Sequence, residues 1–380
     1  MFQLSETQLL IRDTARKYAQ ESLAPKATLL DREGRFPRAQ LAQLAELGLM
    51  GVNVPEEYGG AAAGAVSYAL AMMEVAQGCA STAVTMAVNN MVAETICQFG
   101  SAALRQQHVP EITSGRYAAA SFGLSEPHCG SDAAALRTTA RKDGDSWVIN
   151  GSKQWITSGD EAGVIVVWAR TETVPDAPAK GISCFLVPGG TPGLHVGRHE
   201  DKMGLRASTT VSLSFEDLRV PASALLGAPG QGFQIAMAAL SGGRIGIASQ
   251  AHGIGTAALE AALRYAKDRK AFGHPIGDFQ AIRFMLADMA TELDAARLLI
   301  LRAAALKEAG KPYVLEGSMA KLFATEKANK ACDAAVQIHG GYGYLDEFPA
   351  ERHYRDARVT TIYEGTSEIQ RVVIARDLLR

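Results

Sequence analysis

At 380 residues the chain is too long for one small core, so two or three domains or layers are expected. Its composition, 47% apolar and 21% charged, is that of an ordinary soluble protein, and a net charge of −2 excludes a general attraction to nucleic acid or to an anionic membrane. Five scattered cysteines, Cys79, Cys97, Cys129, Cys184 and Cys332, include no CxxC pair, which suits a reducing compartment and argues against a disulfide scaffold or a structural zinc.

Residues 1–117 read as an all-helical N-terminal domain. A helix start, Ser5 with Gln8, follows Met1 almost at once, and no apolar run reaches about eighteen residues. That leaves no room for a signal or transit peptide and points to a cytoplasmic protein, or to the mitochondrial matrix if a presequence was removed. Leu9, Leu10, Ala15, Tyr18 and Ala19 mark one amphipathic stretch, Leu41 to Leu47 another and Val66 to Val75 a third, with a Pro- and Gly-containing loop from Val54 to Gly60 between them.

Residues 118–228 change to short apolar runs with turn dipeptides, Asp143-Gly144 before Trp147-Val148-Ile149 and Asn150-Gly151 after it. Val164 to Trp168, Ile182 to Val187 and Thr209 to Phe215 are further strands, rich in β-branched and aromatic residues. With no helices between them, an antiparallel β-barrel or sandwich is expected and a βαβ domain is not. Residues 229–380 return to helical spacing, as in Ile282, Met285, Leu286, Met289, Leu293 and Ala296, and Gly310-Lys311-Pro312 stops that helix. A four-helix bundle is expected, making the whole a multi-domain α+β chain ordered α, β, α.

Several signals are weak. Neither Gly227 to Gly232 nor Gly340 to Gly343 has GxGxxG spacing in a βαβ unit, and His195 and His199 sit in a Gly-rich strand or loop where a four-residue step does not converge on a metal. Ala239 to Arg244 places Gly242 and Gly243 inside a helical pattern at about 1 kcal/mol each, so a helix break or a close approach by another group is expected there. In Tyr363-Glu364-Gly365-Thr366-Ser367-Glu368-Ile369-Gln370, Ser367 with Gln370 fits a capping box, which puts Glu364 in a rigid turn before the last helix. An acid there also suits the helix dipole without any chemistry.

Three motifs in order give the chain a resemblance to the acyl-CoA dehydrogenases. They are Phe122-Gly123-Leu124-Ser125-Glu126-Pro127 with Cys129-Gly130-Ser131-Asp132, then Gly151-Ser152-Lys153-Gln154-Trp155-Ile156-Thr157-Ser158, then the Tyr363 to Gln370 ending. Read without it, the first two are a strand ending in a Pro-Gly turn and a hairpin with a buried Trp. The resemblance implies FAD-dependent conversion of a saturated acyl-CoA to the trans-2-enoyl-CoA in fatty acid β-oxidation. Glu364 would take the α-proton as the β-hydride passes to flavin N5, and electrons would leave to an electron-transfer flavoprotein.

The same resemblance places Phe122, Leu124, Ser125 and Ser131 at the flavin's polar edge, Trp155 on the ring and Thr157 beside N5. It places Arg269, Phe272, Gln280, Gln337, Gly340 and Gly341 on the ADP part of FAD from a neighbouring subunit, in an expected homotetramer. Thr366 and Glu368 complete the cofactor set, and Ser131, Gly243, Arg244, Tyr363 and Gly365 line the acyl-CoA site. Ser125 stands where the family usually has threonine, and Cys129 where it usually has alanine or glycine. Some family branches carry their glutamate at the position of Gly243, so Glu364 is the base that both placements allow. Ser81 to Asn90 is expected to floor the acyl pocket, although Met86 and Val88 suit a helical core equally, and the motif wording is most like the short-chain, butyryl-CoA branch. An acyl-CoA oxidase, a flavin monooxygenase on the same fold and a nucleic-acid-binding relative are the rival readings; no metal and no membrane association is expected.

Overall fold

The computed structural model describes residues 3–379. The first layer is helical: α1 (Glu6–Tyr18), a π-turn at Ala19–Leu23, α2 (Ala24–Glu33), α3 (Arg38–Glu46), α4 (Gly64–Gly78), α5 (Ala80–Phe99) and α6 (Ala102–Thr113). The capping box at Ser5 forms, with Ser5 Oγ accepting from Gln8 N at 3.2 Å and Gln8 Oε1 from Ser5 N at 2.9 Å. The buried stripe of α1 runs through Ile11, Ala15 and Tyr18, so Leu9 and Leu10 point away from it and are exposed, contrary to their expected place on that face. α4 is apolar on nearly every side and is buried all round, packed between α1 and the C-terminal helices.

The middle layer is one eight-stranded sheet among the described residues. Its strands are β1 (Ala119–Gly123), β2 (Thr139–Asp143), β3 (Ser146–Thr157), β4 (Ala162–Arg170), β5 (Ile182–Pro188), β6 (Leu194–His199), β7 (Thr210–Pro221) and β8 (Leu225–Leu226), in the order β6-β7-β3-β2-β4-β5-β8 with β1 beside β4. Most pairings are antiparallel, but β1 and β2 each pair with β4 in parallel, so the sheet is mixed rather than purely antiparallel. Parallel partners need both faces covered, and Val164 to Ala169 of β4 are buried throughout, one face toward Phe185 and the other toward the helices through Trp168. Asp143-Gly144 makes the expected turn, whereas Asn150-Gly151 does not. There β3 runs on through a register shift, with Gly151 pressed against Thr138, where a methyl group would come within 2.6 Å of Thr138 Oγ1.

The C-terminal helices are α7 (Gly232–Asp268), then a hairpin of β9 (Lys270–Ala271) and β10 (His274–Pro275), α8 (Gln280–Glu308), α9 (Val314–His339), α10 (Pro349–Arg358) and α11 (Ser367–Leu378). α7, α8, α9 and α11 form the bundle, with α9 touching the other three, and α10 lies on α7 and α9. α7 is unbroken for 37 residues, about 55 Å, and α4 and α5 also pack on it, so it is the spine shared by both helical layers. No helix among the described residues is long and apolar enough to cross a membrane.

Candidate active site

The chain leaves α10 through a 3₁₀ turn at Val359–Thr361 and reaches α11 through Glu364 and Gly365, both left-handed at φ +55° and +89°. The cap differs from the expected Ser367–Gln370 box: Thr366 is the N-cap, its Oγ1 accepting from Ile369 N at 3.3 Å. With isoleucine three residues on, no side chain can reciprocate. Gln370 instead folds back, its Nε2 donating to Gly365 O at 2.9 Å and Glu364 O at 3.3 Å. A non-glycine residue in this conformation costs on the order of 1 kcal/mol or more, and it persists where neighbours over-determine it.

The carboxylate of Glu364 lies against α7. A methyl group placed on Gly243 would come within 2.6 Å of Glu364 Oε2 and 3.1 Å of Met91 Sδ, so the close approach expected from two glycines inside a helix is made by this acid. Glu364 Oε2 is sealed from solvent without a hydrogen-bond partner among the described residues. Burial pushes the acid up to about 7, against the opposing pull of Lys321 and Arg244. Arg244 is itself buried, its Nη1 on Ser318 Oγ at 3.2 Å, and burial lowers its pKa. Tyr363 donates its hydroxyl to Gln250 Oε1, and Gln250 Nε2 donates to Ala80 O at 2.9 Å, which ties the turn to α7 and α5. Gly243, Arg244, Tyr363 and Gly365 are thus gathered around Glu364; Ser131 is exposed on the β1–β2 loop and makes no hydrogen bond to them.

Beside Gly243 a cavity of about 50 Å³ is lined by Tyr68, Met91, Glu94, Lys307 and Tyr313 among others. Its α5 wall begins at Met91, one residue beyond the Ser81 to Asn90 stretch expected to floor it. Asn89 and Asn90 are structural instead: Asn89 Oδ1 accepts from Ala120 N at 2.8 Å and Asn90 Oδ1 from Val52 N at 2.9 Å. Met86 and Val88 belong to two different cores. Glu94 and Lys307 form an ion pair of 2.6 Å at this cavity, with Asn53 Nδ2 on the other Glu94 oxygen at 2.8 Å.

A second group gathers where β1 runs out beside β3. Ser121 Oγ donates to Thr157 O at 2.7 Å and Gln154 N to Ser125 O at 2.9 Å, so Phe122, Leu124 and Ser125 lie alongside Trp155 and Thr157. A register shift between Lys153 and Ile156 turns Trp155 outward at φ +62°, 63% exposed rather than buried in a hairpin. The Ser125 and Thr157 hydroxyls make no hydrogen bond among the described residues. A flat exposed indole beside free hydroxyls and strand-end backbone fits the ring of a flavin with a polar edge. A buried ion pair that sequence reading left without a role fixes this loop: Lys153 Nζ reaches Glu126 Oε1 at 2.8 Å and Leu124 O at 3.2 Å, and Glu126 also accepts from Arg137 N and Thr138 N. Burial pushes Glu126 up, yet Lys153 and these N–H groups hold it below its ordinary value.

A third group sits at the far end of α7. Arg269 caps that helix with its guanidinium 5.4 Å from the Tyr342 ring centre, and it shares an open cavity of about 470 Å³ with Gly340 and Gly341, whose Cα positions face open space. Phe272, Gln280 and Gln337 do not line this cavity. Phe272 is in the β9–β10 turn, Gln280 opens α8, and Gln337 is in the last turn of α9. Thr366 and Glu368 stand at the start of α11, Glu368 exposed. Lys321 and Gln250 were missed; a polar residue in a helical sequence reads as a solvated face, and nothing local marks these as buried.

Residues 5–116, 121–218 and 230–379 match, in order, the families described as the N-terminal, middle and C-terminal domains of acyl-CoA dehydrogenase. Over 379 residues, 100% of this chain and 91% of the relative, it is 54% identical to the short-chain specific acyl-CoA dehydrogenase, mitochondrial, of Bos taurus. It is similar to the solved butyryl-CoA dehydrogenase from Megasphaera elsdenii, at 41% identity and a TM-score of 0.97 over 100% of both chains. A chain from a structure described as the electron transferring flavoprotein of Acidaminococcus fermentans is similar at 45% identity and a TM-score of 0.97, again over 100% of both.

Proposed function

Because the chain belongs to the acyl-CoA dehydrogenase family, we propose that it oxidises a saturated short-chain acyl-CoA to the trans-2-enoyl-CoA, with Glu364 as the base that removes the α-proton. The observation that carries this is Glu364 Oε2, an unpartnered buried carboxylate oxygen seated on a glycine beside a small cavity. A carboxylate left without donors is costly to the fold and available to a substrate. Its pKa near 7 suits a base working at neutral pH.

The backbone N–H of Glu364 makes no hydrogen bond among the described residues and lies ahead of the N-terminus of α11. Both facts suit it to bind the thioester carbonyl oxygen as negative charge develops there. The Phe122–Ser125 and Trp155–Thr157 group would hold the ring of FAD, which when bound would supply the acceptor for the β-hydride. The Arg269 group is about 39 Å from Gly243 along α7, too far for the base, the flavin edge and the phosphate site to serve one molecule within a single chain. That separation supports a homo-oligomer, a tetramer by family expectation, in which Arg269, Gly340 and Gly341 serve a neighbour's FAD. The names of the Bos taurus and Megasphaera elsdenii relatives support a short-chain substrate, and that of the Acidaminococcus fermentans structure supports an electron-transfer flavoprotein as acceptor.

Glu364→Gln tests the assignment. It is expected to retain FAD and bind acyl-CoA while losing flavin bleaching, with the rate down about 10²- to 10⁴-fold; substantial bleaching in that variant would refute it. The wild-type kcat/KM is expected to fall below about pH 7, because protonated Glu364 cannot accept the α-proton. Rates with butyryl-, isobutyryl-, hexanoyl- and octanoyl-CoA measure the chain length.

A further inference from the structure

Lys321, in the first half of α9, has no solvent exposure, which is rare for a lysine without an ion-pair partner. Its Nζ donates to Gly365 O at 2.7 Å, and no carboxylate lies within ion-pair distance of it among the described residues. One turn earlier on the same helix, Ser318 holds Arg244. α9 therefore reaches the Glu364 turn twice from one face, once through a hydroxyl that fixes a cation and once through a cation that fixes the turn.

Burying an ammonium carries a large desolvation cost, and one hydrogen bond to a carbonyl does not offset it. The charges acting on Lys321 are Glu364 in the turn, Arg244 on α7, Glu368 on α11 and Glu326 on α9 itself. Those acting on Glu364 are Lys321 and Arg244, while the nearby Tyr68 and Tyr363 stay neutral, their pKa values raised by burial. Lys321, fully buried, and Glu364, with one carboxylate oxygen sealed, are thus two incompletely paired charges on either side of Gly365.

We propose that Lys321 is a positioning residue for the base: its ammonium pins the carbonyl of Gly365, which holds Glu364 in its left-handed turn, and its charge keeps the carboxylate ionised against the dry pocket. This rests on the reading of Glu364 as the base. Gln370 Nε2 shares the same carbonyl, so the turn has a second anchor, and the distinctive contribution of Lys321 is its charge. Burial draws its own pKa down to about 8, still protonated at neutral pH.

The substitutions separate bond from charge. Lys321→Arg keeps both, Lys321→Gln keeps an N–H donor and loses the charge, and Lys321→Met loses both. On the FAD-loaded enzyme, the carboxyl infrared band that disappears in Glu364→Gln is titrated alongside the kcat/KM profile with butyryl-CoA. Removal of a nearby positive charge disfavours the carboxylate, so in Lys321→Gln and Lys321→Met the midpoint and the acid limb are expected to rise together by about one pH unit or more. Lys321→Arg is expected to stay close to wild type, and KM to change little in any of the three. A folded, FAD-loaded Lys321→Gln with an unmoved midpoint overturns the proposal. If Lys321→Gln does not fold, linkage supplies the reciprocal measurement: in Glu364→Gln the Lys321 ammonium, followed by ¹⁵N NMR at Nζ, is expected to titrate at lower pH than in wild type, and an equal value overturns the proposal. Bleaching retained in Glu364→Gln counts against the base assignment; an unmoved Lys321→Gln midpoint counts against Lys321 alone.

Discussion

The two ends of α7 carry opposite kinds of site. Around Gly243 the groups are held by this chain: Glu364 is strained, but Gln370 and Lys321 both hold the Gly365 carbonyl beside it, and one oxygen of its acid group is sealed from water. Around Arg269 the strain has no such support. Phe272 and Gly273, at φ +52° and +85°, form the two-residue turn of the β9–β10 hairpin, a place that favours Asn-Gly. A phenylalanine 93% exposed there serves neither the turn nor the core. The contrast teaches that a residue kept against its local preference is explained by its neighbours in the chain at one end, whereas at the other the one ring contact of Phe272, edge-on to Phe279 at 6.0 Å, leaves the preference unexplained among the described residues.

Gly243→Ala gives the largest expected break in that contrast. A new Cβ 2.6 Å from Glu364 Oε2 forces the carboxylate off its seat, and turnover is expected to fall on the order of 100-fold, as small misplacements of a catalytic group do. The helix itself should gain up to about 1 kcal/mol, so thermal stability is expected to hold or rise while activity is lost. Gly242→Ala is the control, since its Cβ meets only the flexible end of Lys307 at 3.2 Å. Equal losses in both variants would mean that Gly243 matters for the helix rather than for the acid.

Arg269→Ala tests the other end, with a smaller effect. If Arg269 serves a cofactor rather than the fold, its removal should weaken FAD retention about 10- to 100-fold, as loss of a charge-assisted hydrogen bond does, and leave the acid limb of the pH profile in place. FAD content after dialysis and the melting temperature of apoprotein read the two separately. A drop in apoprotein stability with FAD retention unchanged would return Arg269 to a helix-capping role.

Much of the Glu364 end was legible because local rules announce it. Two glycines inside a helical pattern signal a close approach, and Gly365 with a capping residue signals a turn. The error of one residue at the cap arose because Thr366 and Ser367 are both good N-caps, and only the backbone decides between them. The parallel pairing of β1 with β4 was illegible, since the residues that decide it are far apart in sequence. Lys153 and Lys321 were illegible for a different reason. A lysine is read as solvated, and only the assembled fold shows that each is sealed against a specific oxygen. Asn89 and Asn90 looked like pocket residues because they sit in a conspicuous motif, yet they bind backbone groups of β1 and of the Val52 turn.

The smallest expected effect concerns how far the enclosed end extends. The Glu94–Lys307 pair lines the small cavity beside Gly243, bridging α5 and α8, and Glu94 raises the pKa of Lys307 against the opposing effect of burial, so Lys307 is charged at neutral pH. Removing one partner would leave the other half-buried without its counter-charge, which confounds any change in specificity with a loss of stability. The double variant Glu94→Ala with Lys307→Ala removes both charges together and enlarges the cavity. If this pair limits the acyl tail, hexanoyl-CoA should gain on butyryl-CoA in kcat/KM. At about 0.8 kcal/mol per buried CH₂, two further methylenes set a ceiling of about 15-fold, and a gain of a few-fold is expected because the opened space is only partly apolar. An unchanged ratio with normal folding would place the limit elsewhere in the cavity, at Tyr68 or Met91, and would leave the ion pair as a tie between helices.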